Sequence, residues 1–226
     1  MEICHSGSPP RPGEITLAQH GVLFLDELPE FQRPSLEALR EPLETGRVHI
    51  SRSAHQAEFP ARFQLIAAMN PCPCGHLGHP TKPCQCSADQ VRRYQNRLSG
   101  PLLDRIDMTV DVPVLPPETL SGAADGETSA TVAARVVRAR QRAVDRQGCA
   151  NAQLAAGQLD DHLRIEEAAQ ALLHHVCARL AWSGRSFHRV LRIARTIADL
   201  AGHDTIASIH VSEAIQWRRA LPGREA

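Results

Sequence analysis

One stretch limits what this chain can fold into more than any other: Gly21-Val22-Leu23-Phe24-Leu25-Asp26-Glu27-Leu28-Pro29-Glu30-Phe31, an apolar run that ends in two adjacent carboxylates. Four large apolar residues between a glycine and an acidic pair read as a strand buried on both faces, the kind found inside parallel sheets. The acids then stand at the carboxyl end of the strand. In open α/β sheets that edge is where loops and helix N-termini converge and ligands bind. There Asp26 could hold a divalent cation and Glu27 could polarise a water, the division of labour that nucleotide hydrolysis needs. The same tetrapeptide also fits a solvated acidic turn before Pro29.

Composition narrows the classes. The apolar fraction is 42% and the charged fraction 22%, as in globular domains. No run approaches the roughly 20 apolar residues of a membrane helix, and residues 1–20 lack the apolar segment of a signal peptide, so a cytoplasmic protein without a membrane partner is expected. The formal net charge is zero, which excludes a global basic field; any nucleic-acid contact must be local. Every basic residue but Lys82 is arginine, and Lys82 lies between Thr81 and Pro83 without the glycines of G-x-x-x-x-G-K-[ST]. The chain therefore contains no P-loop.

Along the chain, residues 1–14 read as an extended lead-in. Leu36, Leu39 and Leu43 fall at helical spacing, with a cut or kink expected at Pro42 and a stop at Gly46. Val48-His49-Ile50 and Ala57-Glu58-Phe59 flank a polar turn and suggest a β-hairpin. A second buried strand, Phe63 to Met69, ends at Asn70. A helix is expected from Asp89 to Leu98, and Ile106 to Val112 alternates in the manner of a third strand. The proline- and glycine-bearing segment 116–128 reads as a linker between an α/β part, residues 1–115, and an all-α part, residues 129–226. In the latter, helices are expected over Thr131–Gln147, Glu166–Ala181, Ser186–Ala201 and Ser212–Arg219. The arginines at 135, 138, 142 and 146 read as a solvated or intersubunit face.

Cys72, Cys74, Cys84 and Cys86 form C-x-C-x9-C-x-C within residues 72–86, a crowding that suits metal ligation better than a disulfide framework. Four thiolates could complete a tetrahedral zinc site that staples a long insertion, with His76 or His79 as a substitute ligand. Reduced thiols or a labile disulfide remain the alternatives.

Taken in order, the acidic strand end, the amide at Asn70, the turn Ser99-Gly100-Pro101-Leu102-Leu103-Asp104-Arg105-Ile106-Asp107 and the helix start Gly184-Arg185-Ser186-Phe187-His188-Arg189 resemble the AAA+ ATPases. Within them, the chain resembles the magnesium-chelatase-like family typified by the ComM and YifB proteins. The resemblance implies a partial AAA+ α/β core, strands 3 to 5, followed by an α-helical lid. It implies ATP and Mg2+ as cofactors of the complete protein, with Asp26 on magnesium and Glu27 on the attacking water. Asn70 would be the sensor 1 amide, in place of a simple turn cap. Arg105 would be an arginine finger reaching a neighbouring subunit's nucleotide, against the plain alternative of a salt bridge to Asp104 or Asp107. Arg185 would be sensor 2, with Arg189, one helical turn on, as the competing candidate. The partners implied are further copies in a hexameric ring and DNA, gripped through Arg52 and His55 of the hairpin turn. An ordinary solvated turn is the alternative there. A metal-chelatase subunit, or a zinc-stabilised interaction or DNA-binding module without turnover, are the other functions considered. Members of the family carry a P-loop ahead of the acidic strand, so a longer protein with that segment upstream of Met1 is expected.

Overall fold

The computed structural model describes residues 12–52, 55–115 and 126–218, the side chains of residues 51–56 excepted. They divide after Ile106 into two compact units, each with its own apolar core.

In the first unit α1 (Glu14–Leu17) leads into β1 (Val22–Leu25), and a single 3-10 turn, Leu28–Glu30, follows the two acids. Then come α2 (Arg33–Ala38) and α3 (Arg40–Thr45), the hairpin β2 (Arg47–Arg52) and β3 (His55–Pro60), β4 (Gln64–Ala67), α4 (Ala88–Gln95) and α5 (Gly100–Leu103). The expected kink is a full break at Leu39–Arg40, which puts Pro42 in the first turn of α3 where its missing N–H costs nothing. Gly46 ends α3 with φ of 71°, and a Cβ there would stand 2.8 Å from Arg62 Cγ, so both conformation and space require glycine. β1 and β4 pair in parallel, Leu25 opposite Ala67. The hairpin is antiparallel and its ladder runs out to the pair Arg52 and His55.

Two expectations about strands are corrected. β1 is buried on one face only: Leu23 and Leu25 are 8% and 1% exposed, whereas Val22 and Phe24 are 54% and 58% exposed. The two-stranded sheet packs Leu23 and Leu25 against Leu28, Leu36, Leu39, Leu98 and Leu102, and the described residues cover no second face. Residues 106–112 form no strand. Alternation alone makes no ladder, and among the described residues no strand pairs with this segment; the Thr109 N–H donates instead to the Trp217 carbonyl at 2.7 Å.

The second unit is helical. It comprises α6 (Ser129–Gln147), α7 (Leu159–His162), β5 (Arg164–Ile165), α8 (Glu167–Arg179), α9 (Gly184–Ala201), β6 (Thr205–Ile206) and α10 (Ser208–Gln216), with β5 and β6 joined in a two-residue parallel pair. Thr128 caps α6 and Ser183 caps α9 through their hydroxyls. Ala169 and Leu173 of α8, Val190, Leu191 and Ala194 of α9, and Val211 and Ala214 of α10 meet in the core. No described helix is long and apolar enough to cross a membrane.

The arginines of α6 are not merely a solvated face. Arg146 donates to both carboxylate oxygens of Asp199 at 2.8 and 2.9 Å, and Arg142 donates to Asp204 at 2.6 Å. Asp199 also accepts from Asn151 at 2.8 Å and pairs with Arg195 at 3.1 Å. Burial works against the Asp199 charge, but these hydrogen bonds and the neighbouring guanidinium charges outweigh it and hold the carboxyl below its usual range.

A second polar pair makes this unit acid-sensitive. The Ala207 N–H donates to His210 Nδ1 at 2.9 Å, so the proton of the neutral ring sits on Nε2, which donates to His203 Nδ1 at 3.0 Å. Burial, then the charges of His203 and Arg195, push the His210 pKa down, while Glu166 and Glu213 pull the other way. A depressed folded value means the unfolded chain binds the proton first. Stability is therefore full above the unfolded value near 6.5 and falls as pH drops below it. Thermal unfolding followed by circular dichroism should show a lower midpoint at pH 5.5 than at pH 7.5, and His210→Gln should flatten the difference. Equal slopes in both proteins would rule the pair out as the cause.

Candidate functional site

The parallel register builds the site. Because Leu25 lies opposite Ala67, the acids Asp26 and Glu27 and the amide Asn70 leave the same carboxyl edge of the sheet. Main-chain bonds pin that edge: the Ala68 N–H donates to the Leu25 carbonyl and the Leu28 N–H to the Ala68 carbonyl, each at 2.9 Å. Between them Glu27 adopts the left-handed conformation, φ 50° and ψ 47°. For a non-glycine residue this costs of order 1–3 kcal/mol, and such strain gathers at functional sites. Its N–H is satisfied by Asp26 Oδ1 at 2.9 Å, and both carboxylates face solvent.

Tyr94, the only tyrosine of the chain, was not singled out by sequence reasoning yet belongs to this edge. Burial raises its pKa, helped by the carboxylates of Glu30 and Glu27, against a hydrogen bond with the Asn70 main chain. Its neighbour Gln95 donates to the Pro71 carbonyl at 3.1 Å, fixing the main chain just past Asn70. The signal was present in the spacing of Val91, Tyr94 and Leu98, one buried face of the segment around α4.

The cysteine loop folds back over Asn70: a Cβ on Gly75 would stand 3.9 Å from the Asn70 side-chain oxygen. The four sulfurs lie within 4.8 Å of one another, with Cys72–Cys74 at 3.4 Å, Cys74–Cys84 at 3.6 Å and Cys72–Cys84 at 3.7 Å. A tetrahedron with metal–sulfur bonds of about 2.3 Å has edges of ~3.8 Å, so the spacing suits a metal ion. Main-chain hydrogen bonds at His76 and Gln85 bring the Cys74 thiol down to about 5. At Cys84 a main-chain bond with Cys86 works in the same direction but is outweighed by burial and the neighbouring thiols, which push it up to about 12. Burial also raises Cys86. Anionic charge on one sulfur resists charge on the rest, and a cation at the centre would relieve that repulsion.

Arg105 is held inside its own unit. It donates to the carbonyls of Arg40 at 3.1 Å and Pro101 at 2.7 Å and pairs with Glu44. Glu44 lies 61 residues away in sequence and no local pattern announces it, while Asp107, one of the alternative partners, pairs with Arg189. Arg185 is exposed on the first turn of α9, and Arg189 pairs with Asp107 at 2.8 Å; both belong to the second unit. The side chains of Arg52 and His55 lie outside the described residues.

A parallel strand pair with acids and an amide on one edge, a four-cysteine loop whose spacing could hold a metal ion and a helical second unit define a mixed α/β chain. The profile described as "Magnesium chelatase, subunit ChlI" matches residues 1–120, and that described as "Magnesium chelatase, subunit ChlI C-terminal" matches residues 126–218. The chain belongs to this magnesium-chelatase family, on its ComM/YifB-like branch. It is 46% identical over 213 residues both to the competence protein ComM of Haemophilus influenzae and to the YifB protein of Escherichia coli, which covers 94% of this chain and 42% of each relative. A Mycobacterium tuberculosis protein is 42% identical over 215 residues, 92% of this chain and 42% of its own length. The chain thus spans well under half the length of these relatives.

Proposed function

We propose that this chain supplies the magnesium- and water-handling half of an ATP-hydrolysing site in a ring-forming AAA+ ATPase that couples hydrolysis to movement on DNA. The observation that carries the reading is the shared sheet edge, with Asp26 and Glu27 past β1 and Asn70 past its parallel neighbour β4. In this reading β1 and β4 are adjacent strands of an AAA+ core and the helical unit is its lid. Asp26 and Glu27 are exposed, oxygen-bearing and adjacent, as a hydrated magnesium ion prefers. Asp26 would hold the ion, Glu27 would orient the attacking water and Asn70 would donate its amide to that water or the terminal phosphate. Magnesium, when bound, neutralises charge developing on the phosphates. Arg185 or Arg189 would reach the nucleotide from the lid. Arg105 would serve the nucleotide of the next copy in a hexamer, after exchanging Glu44 for phosphate. The hairpin would grip DNA through Arg52 and His55. The phosphate cradle would come from the part of the relatives that this chain does not span.

The test is a chimera in which this chain replaces the matching region of the Haemophilus influenzae relative. ATP turnover that rises at least about threefold on adding DNA is expected. No turnover would sink the reading, and turnover indifferent to DNA would move it towards a chelatase-type subunit.

The cysteine cluster is assigned to zinc, in a closed structural site of four thiolates. Elemental analysis of protein purified without chelator should find about one zinc per chain, and a mercurial thiol reagent should release it. Cys84→Ser should lose most of the metal and lower the unfolding midpoint of the first unit. Metal-free protein that takes up no added zinc would end the assignment.

A further inference from the structure

Beside the acidic edge lies a cleft of about 510 Å³ that sequence reasoning did not anticipate, open to solvent along one side. One wall is the segment Pro29–Arg33 and the other is the outer face of α4 with the turn beyond it. Three guanidiniums, Arg33, Arg93 and Arg97, line it against one carboxylate, Glu30. Arg97 spans the walls, donating to the Pro29 carbonyl at 3.1 Å and to Glu30 at 2.8 Å, and so sets the width. Arg93 donates through Nε to the main-chain carbonyl of Asp89 at 3.3 Å, while the Asp89 carboxylate pairs with Arg92. Phe31 adds a half-buried aromatic ring seated on the core.

We propose that this cleft holds a stretch of single-stranded nucleic acid, with phosphates on Arg33 and Arg93 and a base against Phe31. Guanidiniums match phosphate oxygens in geometry as well as charge, and an aromatic ring supplies a sequence-blind stacking platform. The open side favours a polymer passing through over an enclosed small ligand. The volume suits a short segment of strand rather than a duplex. The inference rests on the DNA reading above and adds to it a contact surface separate from the hairpin. It also gives that reading a mechanical link. The turn Leu28–Glu30 starts directly after Glu27, so an occupant pressing on Pro29 and Glu30 bears on the water-orienting carboxylate.

The experiment is fluorescence anisotropy of a labelled 15-mer oligothymidylate titrated with the chain over a range of salt. Arg33→Ala combined with Arg93→Ala should weaken binding about tenfold and flatten the log–log salt slope by ~1.4, the share of two phosphate contacts on a single strand. Arg33→Lys with Arg93→Lys should keep most of the slope, which separates lost charge from lost structure. Affinity and slope unchanged in the double alanine variant, with the wild type binding, would overturn the cleft while leaving the DNA reading intact. Absence of binding by the wild type would overturn both. Binding of labelled ATP that the double substitution weakens, while oligonucleotide binding does not change, would assign the cleft to free nucleotide and overturn the proposal.

Discussion

In the chimera with the Haemophilus influenzae relative, Glu27→Gln is expected to lower kcat for ATP about 100-fold while changing nucleotide affinity by less than about threefold. Glutamine keeps the size of the side chain and can hold the same left-handed turn, so the pinned edge between Leu25 and Ala68 survives. What disappears is the negative charge that polarises the attacking water, a group that matters only as the proton leaves. Loss of such a general base typically costs 10²–10⁴-fold, and a factor of 100 corresponds to about 2.7 kcal/mol of transition-state stabilisation. Asp26→Asn should behave differently, raising the magnesium concentration needed for half-maximal turnover, because a neutral amide is the poorer ligand for a hard cation. Steady-state turnover and a fluorescent nucleotide titration separate the two effects. A Glu27→Gln chimera that keeps a third or more of parental turnover would remove Glu27 from the chemistry, and the acidic pair would revert to a solvated turn.

Asp199→Ala is expected to destabilise the helical unit by about 3–5 kcal/mol, the usual cost of stripping one partner from a buried ion pair. Asp199 and Arg195 are 3% and 0% exposed. Without the carboxylate, Arg195 keeps its bonds to the carbonyls of Asp204 and His203 but loses its counter-charge, Arg146 is left with the Asn151 side-chain oxygen and Asn151 with the Thr196 hydroxyl. For a unit of this size the change should lower the unfolding midpoint by more than about 10 °C, read by calorimetry. Asp199→Asn should fall between, since it keeps acceptor capacity without charge. A shift of less than about 3 °C for the alanine variant would mean that water takes over the role of Asp199.

Much of the site was legible because its parts are local. An apolar run closing on Asp26-Glu27, a second closing on Asn70 and four cysteines within residues 72–86 can be read from spacing alone. The helices of the second unit were legible for the same reason, since a 3.6-residue apolar period is a local signal, although the hydroxyl caps Thr128 and Ser183 start α6 and α9 two residues before the expected Thr131 and Ser186. Partners far apart in the chain were not. Arg105, read as an arginine finger with a salt bridge to Asp104 or Asp107 as the plain alternative, takes Glu44, and of the α6 arginines, read as a solvated or intersubunit face, Arg146 reaches Asp199, 53 residues on. The cleft is not legible for the same reason, because Arg33 lies 60 residues from Arg93 and neither is unusual in an arginine-rich chain.

The sequence by itself determined which chemistry-bearing groups this protein carries and the local element each one ends, because a strand end, a turn or a cap is set by a handful of consecutive residues. It also determined the family, through motifs that are themselves local. Only the tertiary structure decided that Asp26, Glu27 and Asn70 leave one edge, since that depends on the parallel register of β1 with β4, whose paired residues lie 42 positions apart in the chain. Only it decided that β1 hides one face rather than two, that residues 106–112 form no strand, and that the buried Asp199 gathers cations from α6 and α9. Burial and pairing are properties of what packs against a residue, and a residue's sequence neighbours do not specify its neighbours in space.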